Sequence, residues 1–111
     1  MNNIISEVEE LKELIINSDE YKEYKKYEDL LDSNKEIKSL INKYTSLQKE
    51  VVLLETKNMD SSIKEKELDL LYNELTSIDD YNKYLESSKK LNELITKIQK
   101  KFQEFFDSLV S

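Results

Sequence analysis

The chain contains no glycine, no proline, no cysteine and no histidine. Alanine, arginine and tryptophan are missing too, so all 17 basic residues are lysines. Each gap excludes something. Strand reversals and tight turns draw on Gly and Pro as punctuation, so their absence argues against a β-rich fold and leaves long helices, which need neither. Without Cys there is no disulfide, no zinc–thiolate site, no iron–sulfur ligation and no cysteine nucleophile. Without His the commonest general base and the usual metal ligand are gone, and with them Ser–His and Cys–His triads and helical Glu-x-x-His di-metal sites. A Gly-rich phosphate loop cannot form. Arg, the residue best suited to bidentate phosphate contact, is not available either.

Long apolar runs are also lacking. The longest is Val51–Leu54, far short of the roughly 20 residues a membrane span requires. Met1-Asn2-Asn3-Ile4-Ile5 leads directly to Glu7, Glu9 and Glu10, with neither the basic nor the apolar region of a signal peptide. The expectation is a cytoplasmic protein with no membrane association.

What is there suits one small domain, residues 1–111, or one half of an intertwined dimer. The net charge is −7, which disfavours phosphate backbones, so no direct nucleic-acid binding is expected. Lys89, Lys90, Lys97, Lys100 and Lys101 make the last segment locally basic, but lysines near a helix C-terminus also suit the helix dipole. Of possible catalytic or metal-binding groups only carboxylates remain. Glu65, Glu67 and Asp69 cluster, as do Asp79 and Asp80. Solvated helix faces and caps account for them, a magnesium site being the alternative. No catalytic residue, cofactor or metal ligand is assigned.

Apolar residues recur at helical spacing throughout. Ile4, Val8, Leu11 and Ile15 step by four, three and four, widened by Ile5 and Leu14. Ser18 reads as the N-cap of a second helix, with Asp19 and Glu20 in its first turn. That helix carries Tyr21, Tyr24, Tyr27, Leu30 and Leu31. Ser33 or Asn34 can cap the third, and Glu36 completes a Ser-x-x-Glu capping box with Ser33. Ile37, Leu40, Tyr44, Leu47, Val51 and Leu54 then alternate three and four, a heptad seam. Asn58-Met59-Asp60-Ser61-Ser62 is the best loop, its reversal resting on Asn58 or Asp60. Leu68, Leu71, Leu75 and Ile78 follow. A break at Asp79-Asp80 precedes Tyr81, Leu85 and Ser88, which lead into Leu91, Ile95, Ile98, Phe102, Phe105 and Leu109. Helices are expected at about 3–17, 19–32, 34–57, 62–77 and 80–109.

Two long heptad-bearing arms joined by a polar loop predict an all-α fold: a long antiparallel helical hairpin with shorter N-terminal helices across it. Leu40, Tyr44, Leu47, Val51 and Leu54, with Leu91, Ile95, Ile98, Phe102, Phe105 and Leu109, are the expected hairpin or oligomer packing residues. A hairpin of this size cannot cover all of its stripes, so an oligomeric bundle, most simply a two-fold dimer, is expected. Tyr21, Tyr24 and Tyr27 drift by about 60° per step and spread over a broad face. They form either an ordinary core stripe with hydroxyls at its rim or a surface for a partner protein, a use to which Tyr is well suited.

At these residues the chain resembles the YlbF/YmcA family of small helical regulators. The resemblance begins at Ile15-Ile16-Asn17-Ser18-Asp19-Glu20-Tyr21-Lys22-Glu23-Tyr24, similar to the family's I-x-x-S-x-x-Y-x-x-Y opening. It continues through Asp32-Ser33-Asn34-Lys35-Glu36-Ile37, Leu40-Ile41-Asn42-Lys43-Tyr44 and Leu47-Gln48. It resumes at Leu75, Tyr81, Tyr84-Leu85 and Leu91-Asn92-Glu93-Leu94-Ile95, ending in the Ile98–Leu109 stripe. It implies a non-enzymatic protein that forms homo- or hetero-oligomers. Some members join a third, unrelated protein in a complex that modulates endoribonuclease Y and RNA maturation, with effects on competence, biofilm formation and sporulation. In those members cysteines of the complex hold iron–sulfur clusters; no residue here can inherit that property. The family's small residues at close helix contacts are replaced, for instance by Ser87-Ser88. The leading expectation is therefore a helical adaptor or regulator binding other proteins of a regulatory complex. The alternative is a self-associating coiled-coil scaffold or chaperone-like structural protein; an enzyme using only carboxylates is a third.

Overall fold

A computed structural model describes residues 3–111. Five helices follow one another: α1 (Asn3–Ile16), α2 (Asp19–Ser33), α3 (Lys35–Thr56), α4 (Ser62–Thr76) and α5 (Asp79–Val110). Among the described residues there is no strand, and the all-α expectation holds. The chain divides into two compact units, Glu28–Lys83 and Met1–Tyr27 with Tyr84–Ser111.

The unit Glu28–Lys83 is centred on a helical hairpin. Lys64 Nζ lies 3.3 Å from the Glu50 carboxylate, and Tyr72 meets Tyr44 further from the turn, so α4 runs antiparallel to α3. Ile37, Leu47 and Val51 of the heptad seam are buried, and Leu40, Tyr44 and Leu54 are half-buried. On α4 the stripe Leu68, Leu71 and Leu75 points the same way, Leu75 being fully buried. Each large side chain so withdrawn from water contributes about 1.5–3 kcal/mol. Leu31 and Tyr81 are the other buried residues of this unit.

The hairpin turn is a Schellman motif built without glycine. The Met59 amide donates to the Leu54 carbonyl (2.9 Å) and the Asn58 amide to that of Glu55 (3.1 Å), satisfying carbonyls the helix end would leave open. Asn58 takes the left-handed conformation, φ 56°. The Asp60 carboxylate then accepts from the Ser62 amide at 3.0 Å, where α4 starts. At the head of α3 the cap is Asn34, whose side-chain oxygen accepts from the amides of Glu36 (3.1 Å) and Ile37 (3.2 Å). The expected Ser33–Glu36 capping box does not form. Ser33 is the last residue of α2, and its hydroxyl donates back to the Leu30 carbonyl at 2.9 Å. With only one residue between the helices, the cap falls to Asn34. The break before α5 occurs at Ser77-Ile78, which places Asp79 and Asp80 in the first turn of α5, where negative charge suits the dipole.

In the second unit Ser18 caps α2 as expected, its hydroxyl accepting from the Tyr21 amide at 3.2 Å. Leu11 of α1 stands with Ile98, Phe102 and Phe105 of α5, while Tyr24 meets Tyr84 near the other end of this stretch. The early chain therefore runs antiparallel to α5. Ser87 is 2% exposed and Leu91 is also buried. The Ser87 hydroxyl donates to the Tyr84 carbonyl at 2.9 Å, so this small polar residue is withdrawn from water without an unsatisfied group. Leu85, expected on the inward stripe, is exposed. The sheltered line runs through Tyr84, Ser87, Leu91, Leu94, Ile95 and Ile98 instead. The sheltered positions alternate three and four, whereas Leu85, Ser88 and Leu91 are two successive steps of three, which sets Leu85 about 120° from Leu91 around the helix.

Candidate partner-binding surfaces

Tyr21, Tyr24 and Tyr27 lie on α2, each half-buried. Tyr24 stacks obliquely on Tyr84, with centroids 5.6 Å apart and planes tilted 36°. Lys26 places its ammonium 5.3 Å from the centre of the Tyr27 ring, a cation–π arrangement. Lys22, Lys25 and Lys26 are exposed beside them. The three rings thus combine packing with partial exposure.

The packing residues separate by position. Leu40, Tyr44, Leu47, Val51, Leu54, Leu91, Ile95 and Ile98 are buried or half-buried. Phe102, Phe105 and Leu109 are exposed, together with Phe106 and Val110. Their rings pack on one another in water: Phe102 and Phe106 stack at 6.1 Å, and Phe105 and Phe106 meet at 5.8 Å. Beside them lies an almost wholly apolar hollow of about 350 Å³, lined by Leu11, Ile98, Lys101, Phe102 and Phe105. Ile4, Ile5, Val8 and Leu14 leave much of the α1 stripe exposed as well.

A second apolar area was not anticipated. Val52, Leu53, Met59 and Ile63 stand exposed around the hairpin turn, and Leu70 lies exposed further along α4. The signal was present in Val51-Val52-Leu53-Leu54, because four consecutive apolar residues on a helix span more than one face. A hollow of about 700 Å³ is an open groove between α3 and α4 with Lys35, Lys38, Asn42, Lys64 and Glu67 among its lining residues. Its makeup is that of a solvated ionic surface, with Lys64 shared between Glu50 and Glu67.

Among the described residues no group of three or more carboxylates is placed to hold a metal ion, and no helix is long and apolar enough to cross a membrane. The Ser62 backbone and side-chain hydrogen bonds hold Asp60 below its ordinary value of 3.8, which reflects the start of α4.

A family model described as control of competence regulator ComK, YlbF/YmcA, matches residues 4–105. Among solved structures, Bacillus subtilis RicA, crystallised in complex with RicF, is similar over 98% of this chain and 97% of its own, with a TM-score of 0.74 and 14% identity. At that identity the likeness concerns the fold. No curated protein sequence matches the chain significantly.

Proposed function

The chain belongs to the YlbF/YmcA family, and on that premise we propose that it is a non-enzymatic helical adaptor that regulates by holding other proteins in a cytosolic complex. The observation that carries this is the family match across nearly the whole helical chain, 4–105. Side-chain chemistry supports it, because neither His nor Cys is available for catalysis. The RicA neighbour was itself crystallised bound to another protein, and we extend that mode of action to this chain. On this reading the complex modulates endoribonuclease Y, and through it competence, biofilm formation and sporulation. Self-association and hetero-association are both part of the proposal; membranes and direct nucleic-acid contact are not.

Within that function we assign Tyr21, Tyr24 and Tyr27 to the surface that meets the partner. Polar tips, large area and few rotatable bonds suit Tyr to contacts made and released in water. The test is affinity capture from the native cell, read by mass spectrometry, with the unaltered chain beside Tyr21→Ser/Tyr27→Ser. Tyr24 is left in place because its ring supports Tyr84. The unaltered chain should enrich a small reproducible set of proteins, among them endoribonuclease Y or a protein bound to it. The double variant should lose that set while its melting temperature moves by only a few degrees. If nothing is enriched by the unaltered chain, the adaptor reading fails and the self-associating scaffold takes its place. If the variant folds and captures the same set, the surface lies elsewhere.

A further inference from the structure

The groove between α3 and α4 is ionically balanced at one end only. Near the hairpin turn its lining acids, Glu50 and Glu67, both lie within 4.0 Å of Lys64. Toward the start of α3 the lining cations are Lys35, Lys38 and Lys43. All three are exposed, and among the described residues none of them makes an ion pair. They spread over about 12 Å of helix. The positive end of the α3 dipole lies on the same side. A chain of net charge −7 thus keeps a local positive field along one groove.

The other lining groups are those that a peptide uses. Ser39, Asn42 and Ser46 follow one another along the groove, and among the described residues their side chains make no hydrogen bond. The hydroxyls of Ser33, Ser77, Ser87 and Ser108, by contrast, donate to carbonyls of the preceding turn. The groove side chains are therefore open to a bound backbone as donors and acceptors. Leu47 and Leu71 complete the lining with apolar surface, which suits an aliphatic side chain and offers nothing to a bare phosphate. A nucleic acid is disfavoured. No aromatic ring stands among the lining residues for a base to stack on, and the overall charge repels a long polyanion. A short segment feels only what lies within the screening length of about 8 Å, where the lysines dominate.

From this we infer that the α3–α4 groove binds an acidic peptide segment of a partner protein. The segment's carboxylates meet Lys35, Lys38 and Lys43, and one of its aliphatic side chains rests on Leu47 and Leu71. Its backbone takes up Ser39, Asn42 and Ser46. The inference rests on the adaptor reading above, to which it adds a second surface. An adaptor that joins two proteins needs two, and this groove lies in the unit Glu28–Lys83, whereas Tyr21, Tyr24 and Tyr27 belong to the other.

Titration of the ¹⁵N-labelled full chain at physiological ionic strength tests it, read by amide chemical shifts. The probe is an acetylated, amidated peptide of sequence EELEELEE, with QQLQQLQQ and inorganic tripolyphosphate beside it. The acidic peptide should give saturable shifts at Ser39, Asn42, Lys43 and Ser46, with half-saturation below about 1 mM. Lys38→Glu/Lys43→Glu should weaken binding by about tenfold or more, because attractive contacts become repulsive. Both side chains are exposed, so the variant keeps its fold, and the unshifted remainder of its spectrum checks this. Lys97→Glu/Lys101→Glu, the same charge change on α5, and Tyr21→Ser/Tyr27→Ser should bind as the unaltered chain does. Absence of saturable shifts overturns the inference. So does an equal response to QQLQQLQQ, which makes the groove merely apolar, or to tripolyphosphate, which makes it a general anion site. Equal weakening by the α5 variant also overturns it, since net charge alone would then attract or repel the peptide. Groove shifts that follow chain concentration without any peptide hand the groove to a second copy, and the inference falls. Failure of protein capture from the cell, with the titration results intact, counts against the adaptor function and leaves the peptide site standing; failed titration with successful capture does the reverse.

Discussion

The Tyr44 and Tyr72 rings meet across the α3–α4 hairpin with centroids 6.1 Å apart and planes tilted 35°. Tyr44 is half-buried on the seam, and Tyr72 is 46% exposed on the facing helix. A pair of this kind contributes about 0.5–1.5 kcal/mol beyond the area it buries. Urea unfolding of Tyr44→Leu, Tyr72→Leu and the double variant should give a coupling energy at the lower end of that range, because one ring is wet. Additive effects within about 0.3 kcal/mol would mean that the rings contribute no specific interaction.

Leu75 and Leu70 should separate sharply. Leu75 is 0% exposed and Leu70 is 71% exposed, five residues apart on the same helix. Leu75→Ala should cost about 2–5 kcal/mol through lost burial and the cavity left behind, enough to threaten folding of so small a chain. Leu70→Ala should stay within about 0.5 kcal/mol. Chemical denaturation read by far-ultraviolet circular dichroism measures both. Equal losses would contradict the burial pattern.

The α2–α3 junction makes a finer distinction. Asn34→Ala removes the acceptor of two α3 amides and should cost about 1 kcal/mol. Ser33→Ala removes only a hydroxyl bond to a carbonyl of the preceding turn and should be nearly silent. The reverse order would restore the capping box that sequence spacing predicts.

That reversal shows how far periodicity carries. The seam Ile37–Leu54, the α4 stripe ending at Leu75, the polar turn at Asn58 and the Ser18 cap were all legible, because each depends on local spacing or on one residue's conformational preference. The choice between Ser33 and Asn34 was not, since it depends on where α2 stops. The outward turn of Leu85 was legible in the spacing, since two successive steps of three, Leu85–Ser88–Leu91, set it about 120° from Leu91 around the helix. For the Tyr face of α2 the sequence offered core or surface, and the half-burial of Tyr21, Tyr24 and Tyr27 lies between the two. Exposure of Val52 and Leu53 could have been suspected from an apolar run too wide for one helix face.

Asn58 carries a consequence for the state the chain leaves when it folds. A left-handed asparagine costs more than a left-handed glycine would, and this chain accepts that cost at the position where its hairpin reverses. In exchange, no residue anywhere has the doubled backbone freedom of glycine, so the disordered ensemble explores fewer conformations and loses less entropy on ordering. Replacing Asn58 by Gly would relax the turn and loosen the unfolded chain together, the two effects opposing one another. The hairpin gains through the denatured state part of what it gives up in the native one, which no count of native contacts would reveal.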